Sequence, residues 1–560
     1  MNHLDQRRSR SVLLATLIAF FLLSSSEGMA VDVRLDWDAC TWPGLVGYKV
    51  YYGTASKWYN KSIDAHKLTT YTVTGLESIT YYFAVTAYDS AGVETAFSNE
   101  VSTPGTGCGK ECNASGGGSV DSNDFSSPGL IQIIPHVVES SEMRSNLGIN
   151  NVSDGFATVT VRLINENGTE VAAKPFIIPP RGLKQVNRVI AELKGSGNGS
   201  SFEGYLLLDS NLPIEAWVSE IDNVTNDPGI VAGKTQGSAN QLIGSTSNFG
   251  VFRSSLAFVN TGDGPTNVTI TLRSADGKVR GGLKDLEVPA HGFYNVPNIL
   301  ESLGITYDFG SLEVVSSDGQ PLIATSRVYT SSGTSGFFNN ATSAHLTLIV
   351  PHVMESSKMR SNLGINNVSD GYAAVKVRLI NENGTEVAAK SFAIPPRGLK
   401  QVNRVITELK GSGNGSSFEG YLLLDSNLPI EAWVSEIDDD TNDPSFVLGR
   451  NQGVTHLIVG SSTNVGVFKS SLMVVNTGSS DASVDVVIRD AQGIIQGGVD
   501  ALAIPAHGFY STPSILESLG VSENFGPLEL ISTNGQPLVA VSRVYSNSGT
   551  SGFFEGHSIE

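Results

Sequence analysis

Cysteine is nearly absent: three residues in 560, at positions 40, 108 and 112. So few thiols exclude a disulfide-stapled fold, and an odd number leaves one thiol over after a single intrachain bridge. Cys108 and Cys112 lie in a Gly-rich stretch with no second pair at ligand spacing, which argues against zinc. The expected use is a bridge clipping that stretch to the first folded segment, with the pairing among Cys40, Cys108 and Cys112 left open. Basic residues are also short, 36 Lys and Arg against 55 Asp and Glu, a net charge of −19. That balance excludes nucleic acid, whose phosphates need clustered cations. It excludes an anionic membrane surface for the same reason. No P-loop, no G-x-G-x-x-G between strand and helix and no G-x-S-x-G elbow occurs, so no catalytic set is expected and the chain reads as a non-enzyme. Of nine histidines none has another His or Cys at ligand spacing. His136 and His352, before "VV" and "VM", and His291 and His507, in Pro-Ala-His-Gly, are therefore read as solvated-turn residues.

Long apolar runs are confined to one place. Arg7, Arg8 and Arg10 precede Val12–Leu23, apolar apart from Thr16, and Gly28-Met29-Ala30 follows. That three-part layout is a secretory signal, residues 1–30, with cleavage expected after Ala30. No cysteine stands there for lipid attachment, and no later stretch is long and apolar enough to span a bilayer. The expected address is outside the cytoplasm: extracellular, at the cell surface or in the periplasm.

What is present is alternation. In residues 31–105, Val33, Leu35 and Trp37, then Tyr48, Val50 and Tyr52, then Tyr81, Phe83, Val85 and Ala87 recur with period two. Such runs are strands buried on one face. Pro43-Gly44, Gly53, Gly75 and Ser90-Ala91-Gly92 separate them as turns. "LDWDA", "GYKVYYG", "YTVTGLESITYYFAVTAYDSAG" and "SNEV" give this segment a resemblance to the fibronectin type III family, which implies a small antiparallel sandwich and no particular activity. Trp42, Trp58 and Tyr59 fall in loop-like pieces of the module. Exposed aromatics are costly without a partner, so these three are the candidate ligand contacts. Residues 106–128, rich in Gly, Ser and Asn, form a linker.

The remainder repeats. "RSNLGINNVSDG" begins at Arg144 and at Arg360, "EAWVSEID" at Glu215 and Glu431, "PAHGFY" at Pro289 and Pro505, and the spacing within each pair is the same. An older repeat of about half that length lies inside each copy: Arg144-Ser145-Asn146-Leu147 matches Arg253-Ser254-Ser255-Leu256, and Pro179 and Gly182 match Pro289 and Gly292. Four modules follow, 129–235, 236–343, 344–451 and 452–560, each expected to fold as its own sandwich. Asn165–Gly168 and Asp276-Gly277 read as inter-strand turns, and "QVNRVIAEL" and "VPNILESLG" as short helices. The "SR-x-Y" strands, Ser326–Tyr329 and Ser542–Tyr545, each followed by Gly-Thr-Ser-Gly-Phe-Phe, resemble Ig-like repeats of exported bacterial surface proteins. The fold class is thus all-β: a string of five antiparallel β-sandwich modules, one fibronectin type III-like and four Ig-like.

One pattern invites a cation. The loop after each tryptophan strand carries Asp222 and Asp227 in one copy and Asp438, Asp439, Asp440 and Asp443 in the other. Clustered carboxylates suit calcium, the single cofactor considered. Trp217 and Trp433 read as core residues, Arg327 and Arg543 as anchors for local carbonyls or carboxylates. The chain as a whole reads as an exported surface or matrix protein, a modular stalk that binds an extracellular protein or glycan. The alternative is a glycan-binding accessory of an extracellular polysaccharide-degrading system.

Overall fold

The computed structural model describes residues 17–22, 31–37, 45–54, 59, 61–76, 81–89, 94–95, 97–98, 101–102, 129–195, 201–339, 344–411 and 417–559. The chain divides into two compact units, Met1–Ser119 and Val120–Glu560. Among the described residues no helix is long and apolar enough to cross a membrane.

In the first unit, alternation becomes two antiparallel sheets. Leu17–Leu22, Val31–Trp37 and Thr70–Leu76 make one, and Lys61–His66, Leu45–Gly53, Tyr82–Asp89 and Val101–Ser102 the other. The period-two residues Val33, Leu35, Tyr48, Val50, Phe83 and Val85 form the core between them. Leu17–Leu22 belongs to the expected signal segment and pairs with Val31–Trp37 as an edge strand. Cleavage after Ala30 would leave Val31–Trp37 at that edge.

The second unit is also antiparallel β throughout, with one short helix per repeat at Val189–Lys194, Ile299–Ser302, Val405–Lys410 and Ile515–Ser518. Ala157–Ile164 shows why these strands form: Ala157, Val159, Val161 and Leu163 are buried, and the residues between them face outward. In the first repeat Phe202–Asp222 pairs with Ala157–Ile164 and Gly129–Glu139 along its first part, and with Met143–Asn151 and Pro228–Ala232 along its second. The third repeat copies this with Phe418–Asp438. In the second and fourth repeats the long strand is broken, into Phe309–Ser316 with Leu322–Thr330 and Phe525–Ser532 with Leu538–Ser546. The break falls at Gly319 and Gly535, both at positive φ, where the unbroken strands have Asn211 and Asn427, two residues before proline.

A buried asparagine frames every repeat. The Asn151 side-chain amide donates to the carbonyls of Gly155, Ile178 and Pro179, and its oxygen accepts the Ser153 N–H. Asn260, Asn367 and Asn476 repeat the arrangement. The tyrosine of each "SR-x-Y" strand, Tyr329 or Tyr545, donates to the carbonyl of Pro297 or Pro513 beside the short helix.

The four repeats pack into one compact unit and close on themselves. The turn glycine of each repeat presses on the Pro-x-x-Gly turn of the next. A Cβ on Gly168 would lie 2.4 Å from the Ala290 carbonyl, on Gly277 1.9 Å from Pro396, on Gly384 2.3 Å from Ala506, and on Gly493 2.0 Å from Pro180. The last contact returns to the first repeat, so the head-to-tail interface completes a ring rather than an open filament. Backbone bonds accompany it, Phe293 N–H to Glu166, Leu399 N–H to Ala275 and Phe509 N–H to Glu382. Around the inside run Pro228–Ala232, Ser335–Phe338, Pro444–Leu448 and Ser551–Ser558, each meeting its neighbours from adjacent repeats. Hydrophobic clusters cross the boundaries as well. Leu399, Trp433 and Leu448 of the third repeat sit in the core of the second, and Leu183, Trp217 and Ile230 of the first in that of the fourth.

Candidate functional site

The acidic loops come first, and their carboxylates are drawn apart. Asp222 and Asp438 turn inward on their own loops: Asp222 Oδ1 accepts the Val224 and Thr225 N–H groups and the Thr225 hydroxyl, and Asp438 does the same for Asp440 and Thr441. Asp439 pairs with Arg360 and Arg404. Burial alone would raise its pKa, and the two guanidiniums more than offset that, holding it below the usual carboxylate range. Asp440 is exposed. Asp227 and Asp443 leave the loop surface and are buried against the closing strand of the following repeat. There Asp227 accepts the Ser335 N–H at 2.5 Å and Asp443 the Ser551 hydroxyl at 3.0 Å. Among the described residues no group of three or more His, Cys, Asp or Glu side chains is placed to hold a metal ion.

These two buried aspartates are unusual. Each keeps one oxygen, Oδ1, buried without a hydrogen-bond partner. Burial pushes Asp227 up to about 7. It pushes Asp443 well above the ordinary carboxylate range too, and the charge of Asp227 adds to the effect. Arg327 and Arg543 lie near enough to oppose the shift. Each arginine also stacks over the tyrosine two residues on, at 5.5 and 5.7 Å, so both are anchors of the interior.

His136 and His352 correct the solvated-turn reading. Both are buried, clamped between two carboxylates: His136 by Glu220 on Nδ1 and by Glu203 on Nε2 at 2.9 Å, His352 by Glu436 and by Glu419 at 3.0 Å. Burial works to discharge the rings, yet the adjacent carboxylates outweigh it and raise both to about 9. The triads extend across repeat boundaries, since Asn295 donates to Glu203 and Ser511 to Glu419, each at 2.6 Å. The glutamates come from a strand far along the chain from their histidine, so no local pattern announces the cluster. Its recurrence in both long copies was the one available signal. His291 and His507 do sit in turns, their carbonyls accepting the hydroxyls of Tyr205 and Tyr421 from the preceding repeat.

Trp217 and Trp433 are core residues, edge-on to Phe554 at 5.2 Å and Phe338 at 5.6 Å across a repeat junction. In each case a glycine makes the room, Gly148 or Gly364, where a Cβ would stand within 2.2 Å of the indole. In the first unit Tyr59 is half-buried and packs edge-on to Phe97 at 5.1 Å. Trp42, Trp58 and all three cysteines lie outside the described residues.

The chain matches no family model and no curated protein. Among solved structures it is similar to a Fn3-like protein from Clostridium thermocellum, with 32% identity, 17% of this chain and 92% of that one covered, and a TM-score of 0.14. A human sixth fibronectin type III domain matches at 16% identity, covering 20% of this chain and all of its own at 100%, TM-score 0.15. The RrgB pilus protein of Streptococcus pneumoniae matches at 10% identity, 72% and 86% of the two chains, TM-score 0.11. The structure neighbours are thus fibronectin type III-like and surface-protein β domains, and the chain itself is an all-β protein of packed antiparallel sheets.

Proposed function

We propose that this chain is an exported, non-catalytic binding protein. Its residues 129–560 form a rigid platform, and its fibronectin-like module carries the main contact to an extracellular protein or glycan. The observation that carries the reading is what the four repeats have in common. It is a frame of asparagine clamps and Gly–Pro turn contacts, with no reactive group present in all four among the described residues. The ionisable groups buried inside, including both histidine triads, are spent on holding strands and neighbouring repeats together. An acidic surface of net charge −19 favours solubility over indiscriminate sticking outside the cell.

Binding of the mature chain to surface proteins and glycans, compared with a chain lacking residues 31–105, tests the assignment. Loss of binding in the shortened chain is expected. Full retention would move the contact to the repeats, and turnover of a polysaccharide or peptide abolished by a single substitution would end the non-catalytic reading.

A further inference from the structure

The two long copies make two equivalent junctions, one between the fourth and first repeats and one between the second and third. They are not packed alike. At the first lies a cavity of about 290 Å³, with the rings of Trp217, Phe468, Phe525 and Phe554 in its wall. Its sixteen lining positions can be compared one by one with their counterparts in the other long copy, and thirteen are identical. One of the three differences, Thr463 against Ser247, is small. The other two change volume: Ile230 stands where the second junction has Phe446, and Val465 where it has Phe249. At the second junction the Phe446 ring packs 5.3 Å from Phe338 and 5.9 Å from Trp433, closing an aromatic cluster that the first junction leaves open. Phe249 packs at a tilt against Tyr307, with ring centroids 4.5 Å apart. Val465, one of the lining residues, is 43% exposed, so the first cavity reaches solvent beside it.

We infer that the junction between the fourth and first repeats is a binding site for one uncharged, mainly apolar small molecule bearing an aromatic ring system. None of the sixteen lining side chains is charged, so a ligand charge brought inside would find no counter-ion and lose its hydration. Four aromatic side chains offer ring edges and faces. Ser219, Ser461 and Gln185 give the wall a few polar groups, suited to a single hydroxyl or amide on the ligand. The size fits: an apolar cavity of about 150 Å³ accepts benzene, so nearly twice that volume has room for a fused bicyclic ring. The site is distinct from the contact proposed for the fibronectin-like module and stands or falls separately.

The test uses the full mature chain and an uncharged fluorescent probe, N-phenyl-1-naphthylamine. Saturable binding of one probe per chain is expected. The double substitution Ile230→Phe with Val465→Phe copies the side chains of the other junction, so it should leave the unfolding temperature near that of the parent while weakening binding at least tenfold. The converse pair, Phe446→Ile with Phe249→Val, opens the second junction and should raise the stoichiometry to two. Absence of saturable binding by the parent chain overturns the inference. So does unchanged affinity in the filled variant, or a stoichiometry that stays at one in the opened variant.

Discussion

Asp443 is buried where it feels the charge of Asp227, its counterpart in the first long copy, and both carboxyls are driven upward. The two long copies therefore meet at a point where ionisation is opposed. A carboxyl whose folded-state pKa is raised binds its proton more tightly folded than unfolded, so stability falls as pH rises through the interval between the two values. For Asp227 that interval runs from 3.8 to about 7. Glu431, pushed up to about 8 by burial, acts in the same direction. The substitution Asp227→Asn should flatten the pH dependence between 4 and 7 and add about 2–4 kcal/mol at pH 8. Chemical denaturation at four pH values checks this, and an unchanged slope would contradict it.

The histidine triads lose stability in the next window. His136 and His352, raised from 6.5 to about 9, contribute fully below pH 6.5 and lose that contribution as pH climbs to about 9. Imidazole resonances followed by NMR should still report both rings protonated at pH 8. Replacing His136 by Leu strands Glu220 as a buried charge, and should cost about 3–5 kcal/mol.

The asparagine clamp should matter equally in all four repeats. Asn151→Ala leaves three inward carbonyls with one donor fewer each and should destabilise by about 2–3 kcal/mol. Asn260→Ala, Asn367→Ala and Asn476→Ala should match it within about 1 kcal/mol. A repeat insensitive to the change would show that its turn is held some other way.

Ring closure can be weighed with two glycines of similar φ. Gly493, at +80°, has the Pro180 carbonyl 2.0 Å from where its Cβ would be, whereas Gly535, at +76°, has nothing within 4 Å. Gly535→Ala carries only the left-handed backbone penalty, about 1 kcal/mol. Gly493→Ala must in addition push the fourth repeat away from the first, and an excess of about 2 kcal/mol over Gly535→Ala is expected. Thermal unfolding of the two variants measures the difference.

Strands, turns and repeats were legible because each is a local signal. Period-two burial in Ala157–Ile164, the Asn165–Gly168 turn and the helices at Val189 and Ile299 all follow from neighbouring residues. The closure of the ring was not legible. It rests on backbone carbonyls of Ala290, Pro396, Ala506 and Pro180 received by glycines that belong to a different repeat, and a glycine advertises nothing about what approaches it. His136 and His352 were misjudged for a related reason: a ring beside an apolar run looks like a turn residue until, for His136, Glu203 and Glu220 arrive from a distant strand. In the acidic loops Asp222 and Asp227 are close in sequence while their side chains take different partners, Asp222 on its own loop and Asp227 on Ser335 of the next repeat. The cavity was hidden by similarity itself, since two substitutions decide it in otherwise matching surroundings.

The central structural claim is that residues 129–560 are one closed unit rather than four neighbours. Hydrogen exchange on the whole chain carrying Leu528→Ala tests it most directly. Leu528 is fully buried in the core of the fourth repeat, and its truncation should cost about 2–5 kcal/mol. If the repeats unfold as one, the slowest amides of Ala157–Ile164, Thr266–Arg273, Ala373–Ile380 and Ala482–Arg489 lose protection together and by the same factor. Loss confined to Ala482–Arg489, with the other three strands unchanged, would contradict the account.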